Sequence, residues 1–399
     1  MIRPSRALLV LVALALGVSA CGDSSSKGAS SSGASASGAA AGGKCATAGA
    51  TGPGTGGTTV GFIFVGPKDD FGYNQAAYEG AKAVEKACSD FKILTAENVP
   101  QDDTAATVME GMVAKGAKII FATSFGHLDP AKKVAAAHPD VVVVQQGNVI
   151  GANPPANVGT YFGTVYEPVY LAGIAAGKAT KSNKLGYVYA FPIPQTLANI
   201  SAFELGAKTV NPAVTTITVN TSDWCDPAKQ AEAANSLIAQ GVDVITQHQD
   251  CQATIIKTAE AKGIKVVGYH ADASSLAPKG WLTGSEWNWG PFYIEMVKFI
   301  ATGKFTGSKY NADYRVGYKD GTNPFLQSKF GPSVDQATKD LIAKAKTAIS
   351  AADGSPFKGP VLDQNGKELV AAGKVPTYDE VEKIFAASLV QGVVGQIPK

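Results

Sequence analysis

Five short segments concentrate the residue types able to do chemistry. They are Asp69-Asp70-Phe71-Gly72-Tyr73-Asn74, Ser124-Phe125-Gly126, Asp223-Trp224-Cys225-Asp226, Gln247-His248-Gln249-Asp250 and His270-Ala271-Asp272. Each mixes aromatic, amide, hydroxyl or carboxyl groups. A flat heterocycle is held by such a set: aromatic faces stack on it, Asn supplies a donor and an acceptor, and Asp accepts from an exocyclic amine. The candidates for ligand contact are therefore Asp70, Phe71, Tyr73, Asn74, Ser124, Phe125, Trp224, Gln247, Asp250 and Asp272, with Trp289 at the opening of an apolar helix.

Two other chemistries compete for the same residues. Ala122-Thr123-Ser124-Phe125-Gly126 follows a strand and resembles a nucleophile elbow with Ala in place of the first Gly. A serine hydrolase would also need His248 or His270 to reach Ser124 across a cleft, and the four histidines have no recognised spacing. A Ser that caps the next turn is the plainer reading. The pairs His248/Asp250 and His270/Asp272 have the chemistry of a transition-metal site, but as loop residues they serve equally well as hydrogen-bonding groups. No catalysis and no cofactor are expected. Gly52-Pro53-Gly54-Thr55-Gly56-Gly57 satisfies G-x-G-x-x-G, yet it precedes the first strand, where the nucleotide motif follows one.

Short β-branched runs alternate with helical segments from residue 59 onward. Strands are predicted at 60–65, 92–97, 119–123 and 141–146, with helices at 74–88, 104–115 and 130–138. A second series has strands at 185–189, 215–220, 244–247 and 266–269, with helices at 197–209, 228–240 and 251–262. This alternation is the signature of βαβ units and a parallel sheet, here in two tandem halves. Ligands of open α/β sheets bind beyond the carboxyl ends of the strands, which is where the five segments fall. An amphipathic helix is expected over 333–353, with the remainder packed over it or trailing away.

The chain opens with Arg3 and Arg6, an apolar run from Ala7 to Val18, then Ser19, Ala20 and Cys21. The apolar run is about 12 residues, short of the roughly 20 needed to cross a bilayer, and reads as an export signal over 1–20. Val18-Ser19-Ala20-Cys21 resembles a lipobox, which would make Cys21 the lipidated N-terminus on the extracytoplasmic face of the cell membrane. Residues 21–58 are rich in Ser, Ala and Gly and read as a flexible tether. A formal charge of +2 without a basic stripe argues against nucleic acid. Arginine occurs at 3, 6 and 315, so the part after the signal carries a single guanidinium, which disfavours a strongly anionic cargo.

Val60-Gly61-Phe62-Ile63-Phe64-Val65-Gly66-Pro67, Phe121-Ala122-Thr123-Ser124-Phe125-Gly126, Gly268-Tyr269-His270-Ala271-Asp272 and Trp287-Asn288-Trp289-Gly290-Pro291 together resemble the basic membrane protein (BMP) family of ABC-transporter substrate-binding lipoproteins. The resemblance runs from about 59 to 366. It implies an α/β type I periplasmic-binding fold, two doubly wound parallel-sheet lobes around a cleft, with 59–163 plus 282–312 in the first and 164–281 plus 313–390 in the second. It further implies a monomer serving ABC permease and ATPase subunits, with a purine base or nucleoside as cargo and another nutrient such as a sugar as second choice. Residue by residue, Asp70, Tyr73 and Asn74 correspond to the family's D-x-x-[FYW]-N segment, Phe125 to a second stacking aromatic, Asp272 to an acidic ligand contact and Lys319 to a lysine near the cleft. Tyr73 stands where nucleoside binders often have Phe, and Cys225 and Cys251 where relatives usually lack cysteine, which leaves base versus nucleoside open.

With Cys21 lipidated, four cysteines remain in a disulfide-permissive compartment. The favoured pairs are Cys225 with Cys251, whose loops meet if their strands are near neighbours, and Cys45 with Cys88.

Overall fold

The computed structural model describes residues 43–46, 49–320 and 324–398; the expected export signal and Cys21 lie outside them. Among the described residues no helix is long and apolar enough to cross a membrane. The first lobe begins β1 (Thr59–Ile63), α1 (Tyr73–Ala87), β2 (Lys92–Ala96), α2 (Asp103–Ala114), β3 (Ile119–Ala122), α3 (Leu128–Ala137), β4 (Val142–Gln146), β5 (Val158–Gly163). The second contributes α4 (Tyr166–Ala179), β6 (Lys184–Tyr189), α5 (Pro194–Lys208), β7 (Thr215–Asn220), α6 (Pro227–Ala239), β8 (Val244–His248), α7 (Ala253–Ala261), β9 (Lys265–His270) and β10 (Trp281–Trp287). The chain returns to the first lobe for α8 (Trp289–Ala301) and β11 (Asp313–Val316). It ends with β12 (Phe325–Gln327), α9 (Gln336–Ser350), β13 (Val361–Leu362), β14 (Glu368–Val370), α10 (Tyr378–Ile384) and β15 (Val393–Val394).

The first sheet has the order β11-β5-β4-β3-β1-β2 and is parallel throughout. The second has the order β12-β10-β9-β8-β6-β7-β15, with β12 antiparallel. Helices cover both faces of such sheets, so β3 and β4 are buried along their whole length, which is why β3 reads as an unbroken apolar run and β4 as one up to the glutamines at its carboxyl end. The strand order reverses between β1 and β3 in one sheet and between β6 and β8 in the other, and the two switch points face one cleft. In α1 the buried Tyr73, Ala77, Gly80, Ala81 and Val84 recur at helical spacing and face α8. Where α4 and α5 cross, a Cβ on Gly173 would collide with the Phe203 carbonyl and one on Gly206 with that of Tyr170. Glycine here permits a backbone approach that no side chain allows.

Three features differ from the sequence-based expectation. Residues 281–287 belong to the second sheet, paired with β9, and residues 313–316 to the first, paired with β5; the second and third crossings between lobes thus fall near Asn288 and after Val316. Strand pairing is a long-range choice that apolar runs do not encode. Second, the tether does not extend to 58: Cys45 N donates to Asp90 Oδ1 (2.8 Å), Ala50 N to the Thr302 carbonyl (2.7 Å) and Gly54 N to that of Asp140 (2.9 Å). These bonds and a disulfide supply the ordering that composition lacks. Third, the C-terminal stretch is integrated, with β15 pairing in parallel to β7 through Val393 and Thr216, beyond the expected end of the lobe at 390.

Both disulfides join the favoured pairs: Cys45–Cys88 with Cα atoms 5.1 Å apart, and Cys225–Cys251 at 5.0 Å. β7 and β8 flank β6, which brings the loops bearing Cys225 and Cys251 together.

Candidate functional site

The loop between β1 and α1 is organised by Asp70. Its carboxylate accepts from the backbone N–H groups of Gly72 (2.8 Å), Asn74 (3.2 Å) and Gln75 (3.0 Å), satisfying donors that a helix start leaves unpaired. Asn74 is fully buried: Oδ1 accepts from Gly66 N (3.1 Å), and Nδ2 donates to Asp70 (2.9 Å) and to Asp250 of the other lobe (3.3 Å). Asp70 and Asn74 thus hold the loop and bridge the cleft instead of lining it. Phe71, at φ 54°, packs against the second lobe's core, and its carbonyl accepts from Gln252 Nε2. A third contact crosses the cleft from Gln195 Nε2 to the Gly147 carbonyl.

Between the lobes lies a small void, open in part to solvent. The first lobe lines it with Val65, Tyr73, Ser124, Phe125 and Phe162; the second with Ile193, Gln195, Trp224, His248, Asp250 and His270. Among the described residues, no Lys or Arg lines it. Trp224 is half-exposed and leans on Phe191 with ring centres 5.1 Å apart. Tyr73 sets its ring edge-on to His270 at 5.1 Å. The Cys225–Cys251 bridge directly follows two lining residues, Trp224 and Asp250, and Asp250 N also donates to the Trp224 carbonyl at 2.9 Å.

Burial sets the protonation of this site. It pushes the Asp250 carboxyl well above the usual carboxylate range, with the nearby Asp70 charge adding to the effect. Asp70 is also raised by burial, against the pull of its N–H donors. His248 is pushed down to about 3 by burial, and His270 is lowered by burial and by His248. The void is therefore walled by rings, amides and neutral imidazoles, which suit an uncharged ligand.

Of the predicted site residues, Tyr73, Ser124, Phe125, Trp224 and Asp250 meet at the void. The others are placed elsewhere. Gln247 donates to Gln252 Oε1 (2.8 Å) and accepts from Gln249 N (2.7 Å), shaping the loop after β8. Asp272 accepts from Ser274 N (2.8 Å) and pairs with Lys329 (3.5 Å), outside the void. Lys319 is exposed and donates to the Ala352 carbonyl (3.3 Å). Trp289 is buried in the core, stacked on Trp287 at 4.5 Å. Asp272, Lys319 and Trp289 thus stand apart from the wall of the void, where the sequence placed them on it, since position near a strand end does not set which way a side chain points.

Sequence reasoning passed over Val65, Phe162, Ile193 and Gln195. Gln195 had a signal in Pro192-Ile193-Pro194-Gln195, a Pro-punctuated turn at a strand's carboxyl end, whereas Phe162 sits in an apolar strand with nothing to mark it. Neither rival chemistry is assembled. Ser124 Oγ accepts from Gln101 Nε2 at 2.7 Å instead of meeting an imidazole. Among the described residues no group of three or more His, Cys, Asp or Glu could hold a metal.

Residues 58–352 match the family described as ABC transporter substrate-binding protein, PnrA-like. A purine-binding protein of Brucella abortus is 35% identical over 344 residues, 85% of this chain and 94% of that protein. A Haloferax volcanii protein named for glucose binding by an ABC transporter is 31% identical over 348 residues, 87% of this chain and 83% of its own. An ABC transporter solute-binding protein of Aeropyrum pernix superposes with a TM-score of 0.62 at 18% identity, covering 84% of this chain and all of that one. One from Conexibacter woesei gives 0.59 at 20%, covering 73% and 96%. These two share the fold, a type I periplasmic-binding architecture. The family is non-enzymatic: its members bind solutes outside the cytoplasm for an ABC transporter. With most of its length matched and its cleft at the two switch points, this chain belongs to the PnrA-like (Bmp) family of ABC transporter substrate-binding proteins.

Proposed function

We propose that this protein captures an uncharged purine base or nucleoside and, held to the membrane by lipid on Cys21, presents it in the closed form to the permease of an ABC importer. The observation that carries the reading is the makeup of the void: Tyr73, Phe125, Phe162 and Trp224 offer ring faces or edges, and buried neutral groups stand beside them, with no cation among the described lining residues. Flat heterocycles are held in this way. The purine-binding Brucella relative supports the same cargo. The Haloferax relative favours a sugar, the second reading, since aromatic rings also stack on sugar faces.

The deciding experiment releases the cargo from natively purified protein by unfolding and identifies it by mass spectrometry. A thermal-shift panel of adenine, hypoxanthine, guanine, xanthine, their nucleosides and glucose is the check. A ligand at 100 times its dissociation constant stabilises by about 2.7 kcal/mol, so a clear shift with purines is expected. A shift with glucose and none with any purine overturns the proposal. For the anchor, Cys21→Ser is expected to move the protein from the membrane fraction to the soluble extracytoplasmic fraction.

A further inference from the structure

His270 ends β9 at a φ of 73°, a left-handed conformation that a non-glycine residue seldom adopts and that concentrates at functional sites. Its Nδ1 accepts from the Trp287 indole N–H at 2.8 Å. An indole nitrogen can only donate, so Nδ1 is the bare nitrogen and the proton of a neutral ring sits on Nε2. Burial and the neighbouring His248 keep the ring neutral. Nε2 is buried, and among the described residues it has no hydrogen-bond partner. The residue is 2% exposed and lines the void. A buried donor without a partner is costly, and here it coincides with a strained backbone at the wall of the ligand site. The fold itself supplies no use for either.

We infer that His270 is a specificity-determining residue of the site: its Nε2–H donates to an acceptor on the edge of the ligand, an unprotonated ring nitrogen or a carbonyl oxygen of a purine, while Trp287 fixes the tautomer. The inference rests on the purine reading above. It selects heterocycles that present a lone pair where Nε2 stands and rejects those that present C–H or N–H there. Trp287 acts through His270 and is a positioning residue.

Two substitutions separate the two ring nitrogens. His270→Asn keeps an acceptor near the Nδ1 position for Trp287, tolerates positive φ and removes the far donor. His270→Gln keeps a far donor and removes the near acceptor. Calorimetric titration of ligand-freed protein with the tightest-binding member of adenine, hypoxanthine, guanine and xanthine is expected to show His270→Asn about tenfold weaker than the parent. His270→Gln should stay within about threefold while melting lower. A merely structural role for His270 predicts the reverse order, and that order overturns the inference. The parent protein is also titrated with analogues of that purine in which single ring nitrogens, or the carbonyl where there is one, are replaced by C–H. Loss of about tenfold for one analogue, absent in His270→Asn, supports a direct bond. Equal affinity for every analogue overturns it even if a variant fails to fold. Absence of binding to any purine by the parent instead overturns the purine reading, and this inference with it.

Discussion

At the residue scale, the side chains that matter divide into those that touch the void and those that hold its walls. Trp224 is half-exposed and packs on Phe191, so its loss costs little core. Stacking of a base on an aromatic ring is worth about 1–3 kcal/mol. Trp224→Ala is therefore expected to weaken purine binding roughly 5- to 150-fold, measured by titration, with the melting temperature nearly unchanged. Asp272→Ala and Lys319→Ala probe the opposite case. Both residues are expected from the family resemblance to stand at the cleft, yet one is engaged with Ser274 and Lys329 and the other with Ala352. Each substitution should leave affinity within about twofold, the scale of exposed ion pairs and surface hydrogen bonds; a loss of tenfold would mean that the ligand-bound cleft recruits them. Tyr73, Phe125, Trp224 and Asp250 were legible because aromatic and polar groups crowd strand ends for few other reasons. Asp70 and Asn74 were equally visible, but not that their polar atoms would be spent on backbone N–H groups and on one another.

Two devices at the element scale govern how the lobes and loops are held. Glu167, at the start of α4, accepts from Thr164 Oγ1 (2.8 Å) of the first crossing and from Tyr318 N (2.7 Å) of the third. Burial pushes its carboxyl up to about 6 from an ordinary 4.5. A raised carboxyl means that the folded state holds more protons than the unfolded one between those values. The contribution of Glu167 to stability is thus greatest below about 4.5 and is lost as pH rises through about 6, a decline on the order of 2 kcal/mol. Glu382, raised to about 7 by burial, adds a decline of the same sign. Glu167→Gln keeps the acceptor and removes the charge, so denaturant unfolding should find it more stable than the parent at pH 8 and equal at pH 4; equal stability at both would remove this account. The second device is the Cys225–Cys251 bridge, which closes 26 residues of chain. The chain-entropy estimate for that loop is about 3.5 kcal/mol. Replacing both cysteines by Ser should lower unfolding stability by roughly that amount and weaken ligand binding as well, because Trp224 and Asp250 lie next to the bridge. Binding at parental affinity would limit the bridge to stability alone.

For the whole molecule, the lobes meet through Asn74–Asp250, Gln195–Gly147 and Gln252–Phe71. A ligand between them needs differential affinity for this closed arrangement to draw them shut. X-ray scattering should give a smaller radius of gyration with saturating ligand than without, and an unchanged radius would sink the hinge account. The sequence by itself determined the α/β alternation, the tandem halves and the strand ends at which chemistry gathers, because periodicity, capping and punctuation are local properties of a chain. The run after residue 59 is as recognisably a strand in isolation as in the fold. Tertiary structure decided that 281–287 joins the second sheet and 313–316 the first, that 43–46 and 49–57 are fastened to the first lobe, that Asp272 turns to Lys329, and that His270 Nε2 is buried without a partner among the described residues. Those outcomes depend on which distant residues become neighbours, and neither strand partner nor side-chain direction is written in the local pattern of residues.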